Sequence, residues 1–355
     1  MADQSNGSSP SKLVPTPMDL QRNASLKPYN TFGIEATADR LGRFTSAAEL
    51  REMLTLPEVK AAPLLILGGG SNILFTQDFR GTALLNEMLG MAVVQENDEH
   101  VWVKAGAGVA WHEFVLRCVE HGWGGVENLS LIPGKVGAAP MQNIGAYGVE
   151  IKDTFSSLEA LRIADGEVVT FDKEACAFGY RESFFKRRGK GQYVILSVTF
   201  RLDKKPTLNT SYGNIQQELE RMGISEPTLR DVSDAVIAIR RSKLPDPAVL
   251  GNAGSFFKNP VVPQEVVDTI KAEHPDLVAY PAGAGRAKLA AGWLIERAGL
   301  KGYSLGTHGV HDRQALVLVN RGGASGSEIY ALSEHVLRTV KTAFGVELER
   351  EVNIL

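Results

Sequence analysis

Cysteine is almost missing from this chain: Cys118 and Cys176 are the only two in 355 residues, and they form no CxxC pair. A disulfide framework and a zinc knuckle are excluded, and the expected location is the reducing cytoplasm. No apolar run approaches the ~18 residues that span a bilayer, so no membrane insertion is expected. The N-terminus is polar and lacks the apolar core of a secretory signal. An excess of one charge is missing too. The formal net charge is -3, which implies no nucleic-acid partner. Neither GxGxxG opening a helix nor GxxxxGK[ST] occurs, so a Rossmann dinucleotide fold and a P-loop kinase are excluded.

What is present is an ordinary globular composition, 44% hydrophobic and 22% charged, in a chain long enough for two or three domains. Residues 1–24 are rich in Ser, Pro, Asn and Gln without a period, and are expected to be a disordered tail. Strands are expected at Leu64–Leu67, Val101–Lys104, Leu158–Ile163 and Tyr193–Leu202, with a helix carrying Trp111, Phe114, Val115, Cys118 and Val119. After about residue 206 helices dominate: Asp231–Lys243, Gln264–Glu273, Lys288–Ala298 and Ser327–Phe344, with strands at Ala315–Asn320 and Val346–Leu355. A strand-rich half followed by a helix-richer half is an α+β pattern with at least two lobes.

Glycine is concentrated in three places. Gly68-Gly69-Gly70-Ser71-Asn72 follows a buried strand, where consecutive amides can form an anion-binding concavity; a plain turn explains it equally well. In residues 132–148, IPGKVGAAPMQNIGAYG, small side chains let backbone amides reach a ligand, and Gln142, Asn143 and Tyr147 offer polar edges suited to a flat heteroaromatic ring. Residues 251–260, GNAGSFFKNP, join a small-residue turn to a hydroxyl at Ser255, which can deliver a proton to a bound carbon; a tight turn over two core phenylalanines is the plainer reading. Arg181 in FGYRES is able to clamp a carboxylate. By spacing alone Glu351 belongs to the polar face of the last strand with Glu347 and Glu349. His308 and His311 with Asp312 hint at metal ligands, but a polar loop explains them, so no metal is expected.

Together these segments resemble the UDP-N-acetylenolpyruvoylglucosamine reductase (MurB) family, in its longer, type I form. The resemblance runs from about Leu26 to Leu355 through NTFGI (30–34), LGGGSNILF (67–75), the 132–148 stretch, FGYRESFFK (178–186), KLPDP (243–247), GNAGSFFKNP and KLAAGWLIERAGLKG (288–302). It implies an FAD-binding region of the vanillyl-alcohol-oxidase (PCMH) type in two subdomains over 25–205. It also implies an α+β substrate-binding domain over 206–345 and a terminal strand, 346–355, that reaches the active site. The implied chemistry is reduction of UDP-N-acetylglucosamine enolpyruvate to UDP-N-acetylmuramate by NADPH through non-covalent FAD, in peptidoglycan precursor synthesis, by a cytoplasmic monomer. Arg181, Ser255 and Glu351 match the family's catalytic positions. The implied cofactor contacts are Gly68, Gly69, Gly70, Ser71, Asn72, Pro133, Gly134, Gly137, Ala138, Gln142, Asn143, Gly145, Ala146 and Tyr147. Tyr212, Lys243, Asn259 and Gln314 match positions that bind the UDP diphosphate, and Tyr280 and Lys301 lie in similar contacting segments. Where the family pattern ends EVRFI, this chain has EVNIL, with Asn353 in place of arginine. An FAD oxidase of the same fold would not need the diphosphate set, and a non-catalytic nucleotide-sugar binder would not need Ser255 and Glu351.

Overall fold

The computed structural model describes residues 19–355, so most of the tail expected over 1–24 lies outside the described residues. Its end is corrected: Gln21–Ser25 is strand β1, paired antiparallel to β2 (Thr37–Phe44) through Ala24 and Ala38. Only Ala24 of β1 is buried, so no apolar alternation betrays the strand. Helices α1 (Ala47–Thr55) and α2 (Pro57–Lys60) lead to β3 (Leu64–Leu67), β4 (Ile73–Leu74) and β5 (Phe79–Asn86). The sheet order is β1-β2-β5-β3, with β2 and β3 parallel to β5. Gly42 lets two leucine side chains close over β2: a Cβ there would stand 2.8 Å from Leu20 Cδ2 and 2.9 Å from Leu84 Cδ2, and both would have to shift.

The second region is antiparallel. β6 (Met91–Glu96), β7 (His100–Gly106), helix α3 (Trp111–Glu120), the short pair β8 (Gly145–Ala146) and β9 (Val149–Glu150), β10 (Phe155–Arg162), β11 (Val168–Asp172) and β12 (Tyr193–Asp203) follow in turn. The sheet runs β11-β10-β12-β7-β6. β7 alternates buried and half-buried residues, as a strand with one covered face should. α3 lays Trp111 and Phe114 on Phe200 of β12, with ring centroids 5.7 and 4.7 Å apart.

The third region begins with α4 (Ile215–Arg221) and α5 (Leu229–Lys243), the latter opened by a Thr228–Asp231 capping box and closed before Pro245. Then come β13 (Val261–Pro263), α6 (Gln264–Glu273), β14 (Ala279–Pro281), β15 (Arg286–Leu289), α7 (Ala291–Arg297), β16 (His308–Val310), β17 (Leu318–Asn320) and α8 (Gly326–Phe344). α8 starts in a Ser325–Glu328 capping box and stops at Gly345, whose φ is +67°. The single helix expected over Lys288–Ala298 divides. Ala287 and Leu289 alternate inward as β15, and the helix starts where Asn259 Oδ1 accepts the Ala291 amide at 2.9 Å.

Packing ties the two ends of the chain together. One core joins Phe32, Leu67 and Phe75 of the first region to Phe256, Phe257, Leu294, Ile329 and Val336 of the third. A separate core around Trp111, Phe114 and Phe200 holds the second region.

The terminal segment 346–355 is not one strand. Lys258 N–H donates to Glu349 O and Glu351 N–H to Phe256 O, each at 2.8 Å; two residues on, Asn353 N–H donates to Asn72 O and Leu355 N–H to Leu74 O. Only Asn353–Ile354, β18, pairs as a ladder, parallel to β4. The chain changes partner between Glu351 and Asn353, and Glu351 stands at that exchange.

Candidate active site

The change of partner brings Glu351 to a cavity of about 320 Å³ at the junction of the three regions. The β3–β4 loop supplies Gly68, Gly69, Gly70, Ser71 and Asn72. The long loop supplies Pro133, Ala138, Gln142 and Gly145. Ser255, Arg181 and Glu351 complete the wall. Residues as distant in the chain as Gly68 and Glu351 thus meet in one space.

The glycines here are backbone devices. Gly70 has φ +58°, and a Cβ on it would overlap the Tyr29 carbonyl. A Cβ on Gly69 would stand 3.1 Å from Gly134 Cα, so the two glycine loops approach main chain to main chain. Gly145 has a different task. Its carbonyl accepts Arg181 Nη2 at 2.6 Å, and a Cβ there would crowd Arg181 Nη1 at 3.2 Å. Two loops stripped of side chains beside one anion-binding turn fit the diphosphate and flat ring of FAD.

Opposite lies a charged clamp. Arg181 sits in left-handed backbone at φ +54°. Its Nε is 3.4 Å from Glu351 Oε1, with side chains 18% and 13% exposed respectively. Gln142 Nε2 donates to the same oxygen at 3.2 Å, and Asn72 Nδ2 donates to Gln142 Oε1 at 2.9 Å. Burial pushes the Glu351 carboxyl above the usual range; Arg181, Lys186 and Lys258 pull it back and Glu349 adds to the rise. The solvated Glu351 inferred from spacing is therefore corrected. Lys186 is half-buried, with its Nζ donating to Arg181 O at 3.3 Å.

Other expected residues have structural work instead. Asn143 is fully buried: its Nδ2 donates to Gly179 O and its Oδ1 accepts Lys152 N–H, which leaves the side chain holding the loop. Gly137 lets the loop pack on Ala107, 2.5 Å from where its Cβ would be. Tyr147 turns away toward Ile215, Leu219 and Val236 of the α4–α5 pair. Gly134 and Ala146 likewise do not line the cavity.

None of the six residues expected for the diphosphate lines it either. Asn259 caps α7, and Lys301 pairs with Glu296 at 2.9 Å. Tyr212 and Tyr280 are exposed and near enough to influence one another electrostatically. Lys243 is exposed at the end of α5, and Gln314 Oε1 stands 3.2 Å from the Cβ position of Gly292. His311 Nδ1 accepts the Gln314 amide at 3.2 Å, and among the described residues no group of three His, Cys, Asp or Glu side chains is placed to hold a metal.

Residues not anticipated also line the site. Ile66, Trp111, Lys135, Met141, Arg240 and Asn353 are in its wall. Asn353 donates to Asn72 O at 3.0 Å, so the residue replacing the family arginine braces the glycine loop. Arg240 also opens onto a second cavity of about 560 Å³, lined by His112, Arg241, Leu250, His311 and Arg313. Its signal in the sequence, a doubled arginine before KLPDP, is indistinguishable from the polar face of a helix.

Comparison with known proteins gives the following. A model of an FAD-binding domain matches residues 38–172, and the UDP-N-acetylenolpyruvoylglucosamine reductase C-terminal domain matches 246–355. A UDP-N-acetylenolpyruvoylglucosamine reductase of Burkholderia lata is 53% identical over 345 residues, covering 95% of this chain and 99% of that protein. One of Burkholderia ambifaria is 55% identical over 336 residues, covering 94% and 96%. The crystal structure of UDP-N-acetylenolpyruvylglucosamine reductase (MurB) from Thermus caldophilus superposes with a TM-score of 0.64 at 22% identity, covering 95% and 99% of the two chains; it shows the shared fold.

Proposed function

The chain belongs to the UDP-N-acetylenolpyruvoylglucosamine reductase family, and from that premise we propose which of its own residues carry the reaction. The reaction is reduction of UDP-N-acetylglucosamine enolpyruvate to UDP-N-acetylmuramate by NADPH, in peptidoglycan precursor synthesis. FAD, when bound, relays the hydride from NADPH to the enolpyruvyl double bond. The remaining work falls to side chains. Hydride arriving at one alkene carbon pushes negative charge onto the other and into the adjoining carboxylate. Arg181 neutralises that charge in a site already low in water. Glu351 is adjacent, and two carboxyl groups are tolerated together only when they share a proton; its burial favours the protonated form. The Ser255 hydroxyl supplies the proton to the second carbon, completing addition of one hydride and one proton across the double bond.

The observation that carries this reading is the convergence of Arg181, Ser255 and Glu351 on one cavity walled by the glycine loops. No His or Cys is among its lining residues, which supports a non-covalent cofactor. We assign the nucleotide diphosphate to the face bearing Tyr212, Lys243, Tyr280 and Gln314. Its support is that Tyr212, Tyr280 and Lys243 are exposed and that Lys243 forms no ion pair among the described residues, whereas Asn259 is held by α7 and Lys301 by Glu296. A cytoplasmic location is supported by the near absence of cysteine; among the described residues no helix is long and apolar enough to cross a membrane. The test is colour. Purified protein should be yellow, bleach with NADPH and recolour with the enolpyruvyl substrate in the absence of oxygen; recolouring only with oxygen would identify an oxidase instead.

A further inference from the structure

Lys258 lies three residues beyond Ser255 and has no contact with the cavity, yet its side chain is only 8% exposed. Its Nζ donates to Glu182 Oε1 at 2.9 Å and to Glu349 Oε1 at 2.6 Å. Glu182 follows Arg181 in the chain, and Glu349 stands two residues before Glu351. Each of the three side chains assigned to the chemistry therefore has a near neighbour in this one ionic cluster. The backbone repeats the link on two sides. Lys258 N–H bonds Glu349 O, Glu351 N–H bonds Phe256 O, and Phe257 pairs with Arg350. Arg181 has no such backbone tie to either segment; Arg187 fixes Glu182 through two bonds at 2.7 and 2.8 Å, and Lys258 connects that pair to the rest.

An ion cluster built on a buried ammonium with exposed partners is a poor source of stability, because desolvation of Lys258 and solvent screening of Glu349 and Arg187 offset most of the attraction. Its use here is geometric. We infer that Lys258 is a positioning residue, which holds the Arg181, Ser255 and Glu351 segments at a fixed spacing. This rests on the assignment of those three residues made above. Burial works against the Lys258 charge and the two carboxylates overcome it, so the ammonium persists and the link is permanent at neutral pH.

The half-reactions separate this role from general damage. In Lys258→Met, bleaching by NADPH should keep its rate, because it needs neither the proton from Ser255 nor the clamp on the substrate carboxylate. Recolouring by the enolpyruvyl substrate should slow about 10²-fold, the usual consequence of displacing reacting groups by about an ångström. Lys258→Arg, which can bridge both carboxylates, should recover most of that loss. Glu349→Gln removes the charge of a carboxylate that is 65% exposed, so folding should survive; it should slow recolouring by less than Lys258→Met and in the same half-reaction. That variant carries the test should Lys258→Met not fold. Ser255→Ala is run beside them. If Ser255→Ala slows recolouring and neither the Lys258 nor the Glu349 variant does, the positioning role is wrong while the site stands. Equal slowing of both half-reactions by the Lys258 or Glu349 variant would also overturn it. If Ser255→Ala too leaves recolouring intact, the assignment of the site fails and this inference with it.

Discussion

The two walls of the cavity are built on opposite principles. The glycine wall, Gly68–Asn72 against residues 133–145, works by removing side chains so that main chain meets main chain. The clamp wall, Arg181 with Glu351 and the Lys258 cluster behind it, works by holding charge where water is scarce. Substitutions in the first should therefore cost occupancy, and substitutions in the second should cost rate. The pair also differs in tolerance. A backbone device fails at a single methyl group where the dihedral or the facing main chain forbids a Cβ, as at Gly70, whereas a charged device fails in steps as its supports are removed.

The largest effect should come from the glycine wall. Gly70→Ala forces an L side chain into φ +58° and into the Tyr29 carbonyl. The dihedral alone costs about 1–3 kcal/mol, before the overlap is counted. The purified variant should contain essentially no flavin, read from its visible absorbance against protein concentration. Gly68→Ala is the internal contrast. Its new Cβ would meet only Lys135 side-chain atoms at 3.4 Å, so it should keep its flavin and lie within about 0.5 kcal/mol of the parent by thermal melt. If the two variants behave alike, the wall is not a backbone device.

Next comes Ser255→Ala. It should leave bleaching by NADPH unchanged and slow recolouring by roughly 10²–10⁴-fold, the usual worth of a positioned acid. Stopped-flow absorbance resolves both steps. Loss of flavin in this variant would move Ser255 from the clamp to the glycine wall, and erase the division between them.

The same division explains what could be read in the sequence. GGGSN, GNAGSFF and the 132–148 stretch were legible because a backbone device leaves its mark in composition. β3 is legible as a short apolar run that ends in glycines, and α3, α5 and α8 are legible because each has a helical period and a cap or a stop. Asn143 and Tyr147 show that a polar side chain in a glycine loop can brace the loop or pack on a neighbouring helix pair as readily as it faces a cavity. Lys288–Ala298 reads as one helix because the end of strand β15 shares small and apolar residues with the helix that follows. Glu351 was visible only through family resemblance. Its alternation with Glu347 and Glu349 points outward, and nothing local signals that the chain changes partners between Glu351 and Asn353.

The smallest effect should be the most specific to the clamp. Burial raises the Glu351 carboxyl above its ordinary range, in spite of Arg181, Lys186 and Lys258. A carboxyl raised on folding favours the folded state at low pH, where it is protonated in both states. That contribution is lost as pH rises through the folded-state value, because ionisation must then occur in the buried site. Glutamine has the shape and no such loss. Glu351→Gln and the parent should melt together near pH 4–5, roughly the range of an unperturbed carboxylate. By pH 8 the variant should melt higher, by about 1–3 °C for a chain of this size. Recolouring should meanwhile slow, since an amide has no carboxyl proton to share with the substrate. A gap that instead opens toward the parent as pH rises would mean that Arg181 wins over burial. Glu351 would then be an ionised partner of Arg181, and the shared proton would have to be sought elsewhere in the clamp.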